Sequence, residues 1–170
     1  MTAHIDGIRH PYFRGYDVSK ELEQLVSPHV VQLVQQVYGL PVLTCTITTS
    51  LRAVDHDYQL VLADGKTVKA DLKSAFEARY SVAPATVQDA TKRALTGVDL
   101  VILVPERMFY LTNTNFLIMV NQYPPDTPLS LNTIRQYADG ELNISTVPEY
   151  QSISERANEL HRLMRNVRER

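Results

Sequence analysis

One cysteine, no tryptophan and only six glycines are spread over 170 residues. The lone thiol, Cys45, excludes an intrachain disulfide and any Cys-rich zinc site. It suits a reducing, cytoplasmic compartment. With so few glycines there is no Gly-rich phosphate loop after a strand. Gly-x-Ser-x-Gly and Cys-x-x-Cys are also absent, which argues against redox and cofactor enzymes. No apolar run approaches the length of a membrane span. The longest, Phe116 to Val120, has the length of a strand. The first residues, Met1 to Asp6, carry neither the basic nor the apolar region of a secretory signal. Positive charge is also in short supply: 17 Lys and Arg against 19 Asp and Glu leave a formal net charge of −2. A domain that grips nucleic acid mainly through its phosphates is usually basic overall. An acidic metal cluster is compatible with this balance, because bound cations offset it locally. The basic residues near the C-terminus (Arg156, Arg162, Arg165, Arg168 and Arg170) read as a solvated helix face.

What is present is a globular composition, 44% hydrophobic and 21% charged, and a length that suits one domain over residues 1–170. The chain stops within an arginine-rich helical stretch, as a fragment of a longer protein would. Residues 1–16 read as an irregular lead-in. Asp17 is a helix cap and Ser27-Pro28 a second start signal, so residues 17–38 are expected to form one kinked helix or two short ones. Val42 to Thr49 is rich in β-branched residues and predicts a strand. Tyr58 to Leu62 and Lys66 to Lys73 alternate around Asp64-Gly65, the preferred two-residue turn for a tight hairpin. Pro84 opens a helix to Gly97, and Val98 to Val104 is a buried strand. Arg107 to Thr112 and Phe116 to Gln122 are expected as two further strands joined by a turn at residues 113–115. Short and long helices follow over 130–137 and from about residue 152. This order predicts an α/β (α+β) fold with a central mixed β-sheet flanked by helices.

The hairpin carries the chemistry. Asp57 stands at the start of its first strand, and Asp71-x-Lys73 ends the second. Period-2 alternation puts Asp71 and Lys73 on one face. Two carboxylates on neighbouring strands are hard ligands for Mg²⁺ or Mn²⁺. The bound ion would activate water and neutralise a scissile phosphate, while a lysine assists as a point charge. Without metal the two acids repel, so at least one should have a raised pKa. Asp55, two residues before Asp57 on the same face, is an alternative or additional ligand. Cys45, Tyr12, Phe13, Phe109 and Tyr110 are explained by packing, although such aromatics can also stack on bases.

This hairpin resembles the core of the PD-(D/E)xK nuclease superfamily, in which an acid begins one strand and an acid-x-lysine ends the next. His56 replaces the usual proline, and the second acid is the rarer Asp. The resemblance covers roughly residues 17–104. Within the superfamily the chain is most similar to the cap-snatching endonuclease domains of segmented negative-strand RNA virus polymerases. Those place a metal-binding histidine on the helix before the hairpin and a catalytic lysine on the helix after it, where this chain has His29 and Lys92. A further acid often found between that histidine and the hairpin is missing. Many superfamily members use a glutamate on the preceding helix, so the resemblance makes Glu21 and Glu23 alternative ligands. The resemblance implies a two-metal endonuclease acting on single-stranded RNA and attached to a larger polymerase. Its catalytic residues would be Asp57, Asp71, Lys73 and Lys92, with metal on Asp57, Asp71 and His29. Two alternatives remain open: a DNA endonuclease of restriction or repair type, and a nuclease-fold binding or scaffold module without activity.

Overall fold

The computed structural model describes residues 4–5, 8–9, 11–48, 56–76 and 80–168, with the side chains of 14–48, 56–76 and 80–165. Asp55 therefore lies outside the described residues, as do the side chains of Tyr12 and Phe13. Two short strands, β1 (His4–Ile5) and β2 (Ile8–Arg9), pair in front of α1 (Pro11–Tyr38). β3 (Val42–Ile47), β4 (Tyr58–Leu62) and β5 (Thr67–Ser74) form an antiparallel meander. After β6 (Ser81–Val82) and α2 (Pro84–Ala94), β7 (Asp99–Val104) returns parallel to β5. β8 (Arg107–Leu111), α3 (Asn113–Asn121), β9 (Leu129–Ser130), α4 (Leu131–Tyr137), β10 (Gly140–Asn143) and α5 (Tyr150–Arg168) complete the chain. The main sheet has six strands in the order β10-β8-β7-β5-β4-β3, and β6 and β9 form a separate ribbon.

This is the expected α/β arrangement, a mixed sheet packed between two helical layers. All six residues of β7 are buried. Val101 and Leu103 face a core shared with Leu22, Val26, Val30 and Leu33 of α1 and Ile153 and Ala157 of α5. Leu100, Ile102 and Val104 face a second core with Ala90 and Ala94 of α2, Phe116 and Met119 of α3 and Ile134 of α4. Each such aliphatic side chain contributes about 1.5–3 kcal/mol on burial, which makes β7 the spine of the fold.

One local alternative is decided and two local expectations are corrected. First, α1 is a single helix that passes through Pro28. Proline has no N–H for the carbonyl of Gln24, and the Ser27 hydroxyl donates to that carbonyl instead at 3.0 Å. Ser27 thus mends the helix where the sequence suggests that it starts one. Second, residues 113–121 form a helix rather than a turn and a strand. The Thr112 side chain accepts from the Asn115 N–H as an N-cap, and Phe116 and Met119 bury one helical face. A five-residue apolar run does not distinguish strand from buried helix. Third, the 16-residue lead-in is partly regular, since β1, β2 and the first turns of α1 lie within it.

Candidate active site

β5 changes partners halfway along. Thr67 to Ala70 pair with β4, and Ala70 to Ser74 pair with β7. Asp57, just ahead of β4, fills the step where the strands part. Its N–H donates to the Ala70 carbonyl at 3.0 Å, and its Oδ2 accepts the Leu72 N–H at 2.8 Å. The ladder would otherwise leave that Leu72 donor open. Asp57 is therefore fixed by backbone on both sides, next to Asp71.

Asp71 is 3% exposed. In the register with β7 it stands opposite Leu100, and Lys73 stands opposite Ile102, so both project toward α2. Burial, then the charge of Asp57 and a hydrogen bond with it, push the Asp71 carboxyl up to about 8, against the pull of Lys73 and Arg93. The Lys73 ammonium lies 3.2 Å from Asp71 Oδ2, and the Arg93 guanidinium lies 3.3 Å from the same atom. Neither contact has hydrogen-bond geometry, so Oδ2 is a buried oxygen without a hydrogen-bond partner. Lys73 is instead hydrogen-bonded to Asp89 of α2. Burial alone would lower its pKa, but the charges of Asp71 and Asp89 outweigh that and raise it, so the amine stays protonated.

A third acid arrives from α1. Glu23 is 3% exposed, and burial followed by the charge of Asp57 raises its carboxyl to about 7. Lys20 at 2.8 Å and Ser19 at 3.2 Å donate to it. The buried Tyr58 hydroxyl donates to the Glu23 carbonyl at 2.6 Å and fastens this turn of the helix to β4. The acids thus run from Glu23 through Asp57 to Asp71. A cleft of about 530 Å³ is lined by Ser19, Lys73, Arg93 and His161 among others; of these, Ser19 contacts Glu23, and Lys73 and Arg93 contact Asp71.

The expected residues divide into two groups. Asp57, Asp71 and Lys73 come together. His29 does not join them: it lies six residues beyond Glu23, about 240° further round the helix. Its Nε2 is 3.9 Å from Glu149 and has no hydrogen-bond partner. Lys92 is exposed, and Gln88, four residues earlier, reaches toward the Pro125 carbonyl at 3.4 Å. The residues of α2 that face the acids are Asp89 and Arg93, one position along. Ala90 and Ala94 are buried, and a phase counted from them turns Lys92 away. Glu21 is paired outside with Arg156 at 2.8 Å, and Phe109 and Tyr110 are core residues.

A small divalent cation suits this donor set. Among the described residues no three or more His, Cys, Asp or Glu side chains converge into a full cage. Mg²⁺ characteristically needs only one or two carboxylates, with water and substrate phosphate completing its shell. Asp57 and Asp71 supply these, and the unpartnered Oδ2 of Asp71 is a hard oxygen to which nothing else donates. No known protein family and no curated protein matches the chain.

Proposed function

We propose that the chain is a metal-dependent endonuclease that hydrolyses phosphodiester bonds, with Mg²⁺ or Mn²⁺ held by Asp57 and Asp71. The observation that carries this reading is the buried Asp71 Oδ2, unpartnered beside a second carboxylate and within 3.2 Å of the Lys73 ammonium. The bound cation supplies Lewis acidity, lowering the pKa of a coordinated water and offsetting phosphate charge. Asp57, anchored by Leu72 N–H, and Asp71, which gives up its proton, hold it. Asp89 keeps the Lys73 ammonium at the edge of Asp71, where it can orient water and stabilise a pentacovalent phosphate. Arg93 adds a fixed positive charge on the same side. Glu23, with a pKa of about 7, is suited to accept a proton at neutral pH.

The element order also supports the reading. A helix, a hairpin, a second helix and an apolar strand paired with the second hairpin strand match the extent of the PD-(D/E)xK resemblance. Single-stranded RNA is the substrate that the cap-snatching resemblance suggests, with the chain attached to a larger polymerase. A second reading, a DNA endonuclease of restriction or repair type, is favoured by one observation. The helix-borne group beside Asp57 is Glu23, as the glutamate of many superfamily members would be, whereas His29 faces Glu149.

The test is cleavage of labelled single-stranded RNA and duplex DNA with Mn²⁺, beside a Lys73→Ala variant. The expected result is Mn²⁺-dependent cleavage that falls by about 10²–10³-fold in the variant. If neither substrate is cut and Mn²⁺ does not raise the Tm, the hairpin is structural, and the binding or scaffold reading takes its place.

A further inference from the structure

The 530 Å³ cleft at Lys73 is followed by two more hollows. Along β5 it ends at Ser74, and the next cavity, about 580 Å³, begins at Phe76. Along α5 the boundary falls between Leu160 and Asn158. His161 itself forms the partition: its Nε2 accepts the Phe76 N–H at 3.1 Å and lies 3.1 Å from the Ser74 hydroxyl. The second cavity is lined by Tyr150, Ser154 and Asn158, successive turns of one face of α5. Tyr80 and Pro105 also line it and are shared with a third cavity of about 440 Å³, which holds Asn132 and Arg135. His161 thus separates the first hollow from the second, the second and third meet at Tyr80 and Pro105, and Tyr80, 82% exposed, stands between these two.

The chemistry of these hollows selects their occupant. Arg107 and Arg135 at the far end are already paired with Glu141, at 2.8 and 3.0 Å. Glu106 at the lip of the second cavity repels phosphates and accepts from base amino or sugar hydroxyl groups. It is the one non-glycine with positive φ, 71°, among the described residues. Such a conformation costs about 1 kcal/mol or more and tends to persist where the side chain has a use. With a net charge of −2, affinity has to come from stacking and hydrogen bonds more than from counterion release. Bases can reach an isolated aromatic ring such as Tyr80 only when they are unpaired.

We infer that the second and third hollows bind the single-stranded flank of the substrate, with a base stacked on Tyr80 and sugar or base edges on Ser154, Asn158 and Glu106. The inference rests on the phosphodiesterase reading above and narrows it to single strands over duplexes. The test is fluorescence anisotropy of a labelled 12-nucleotide single strand, in RNA and DNA forms, with wild type, Tyr80→Ala and Tyr80→Phe. Tyr80 is so exposed that its replacement leaves the core untouched. The expected result is about tenfold weaker binding in Tyr80→Ala, recovery in Tyr80→Phe, poor competition by the matching duplex and a shallow salt dependence. If Tyr80→Ala binds as tightly as a cleaving wild type, or the duplex competes equally, the inference is overturned and the endonuclease reading stands. If wild type neither cleaves nor binds any of the strands, both fail.

Discussion

Asp71 and Asp99 lie on adjacent, hydrogen-bonded strands, one step apart in register, since Ala70 is opposite Asp99 and Asp71 opposite Leu100. Both are 3% exposed. Asp99 is fully satisfied: Oδ2 accepts the Tyr38 hydroxyl at 2.5 Å and the Tyr110 hydroxyl at 2.6 Å, and Oδ1 accepts the Asn113 N–H at 2.9 Å. It ties α1, β7, β8 and α3 together. Asp71 has an orphan oxygen, a like charge beside it and two cations at ion-pair distance. Burial costs both aspartates the same solvent. Both carboxylate oxygens of Asp99 receive hydrogen bonds in return, so its role is structural, whereas Asp71 Oδ2 receives none and retains capacity for a ligand.

The largest expected effect that separates them is catalytic. Asp71→Asn should lower Mn²⁺-dependent cleavage by about 10³-fold or more, because it removes a metal ligand, and a single-turnover assay reads this directly. Asp99→Asn should leave the metal ligands in place but destabilise the fold by about 3 kcal/mol, through loss of charge-assisted hydrogen bonds. That corresponds to a Tm lower by roughly 6–12 °C for a domain of this size. A drop in Tm for Asp71→Asn larger than for Asp99→Asn would erase the contrast.

A smaller effect appears in the pH dependence of the metal-free protein. The folded Asp71 carboxyl keeps its proton up to about pH 8, whereas an unfolded aspartate releases it near about 4. The folded state therefore binds more protons between these values, and stability falls as pH rises across that window. Glu23, raised to about 7, adds to the same slope. Thermal melts from pH 5 to pH 8.5 should show a declining Tm in wild type and a flatter profile in Asp71→Asn. The smallest effect distinguishes neighbours on α2. Arg93→Ala should reduce cleavage by about tenfold, whereas Lys92→Ala should change it less than twofold, measured as kcat/KM on one substrate.

The hairpin was legible because its signals are local. The turn itself is one residue longer than the expected two-residue Asp-Gly turn: Leu62 pairs with Lys66, and the loop Ala63–Gly65 has Gly65 alone at positive φ, 88°, with Asp64 Oδ1 accepting the Lys66 N–H at 2.9 Å. Alternation then fixes Asp71 and Lys73 on one face. The helical contributors were not legible in the same way. Which side of α1 or α2 meets the sheet is decided by contacts far apart in sequence, such as the Tyr58 hydroxyl on the Glu23 carbonyl. Glu23 was thus one of several candidates, and Asp89 and Arg93 were overlooked in favour of their neighbours. The buried pair Ala90 and Ala94 was the available sign of the phase of α2. β10 was missed for a similar reason: Gly140 to Asn143 has little strand character and is held by its pairing with β8. Thr112, three residues before Asn115, was the capping signal that marks α3 as a helix.

The central claim is that Asp71 is the open ligand of a cation site. Calorimetric titration of Mn²⁺ into wild type, Asp71→Asn and Asp99→Asn at pH 7.5, in two buffers of different ionisation enthalpy, tests it most directly. The account predicts binding with proton release in wild type, retained in folded Asp99→Asn and lost in Asp71→Asn. Equal binding by wild type and Asp71→Asn, or no binding by wild type, would contradict it.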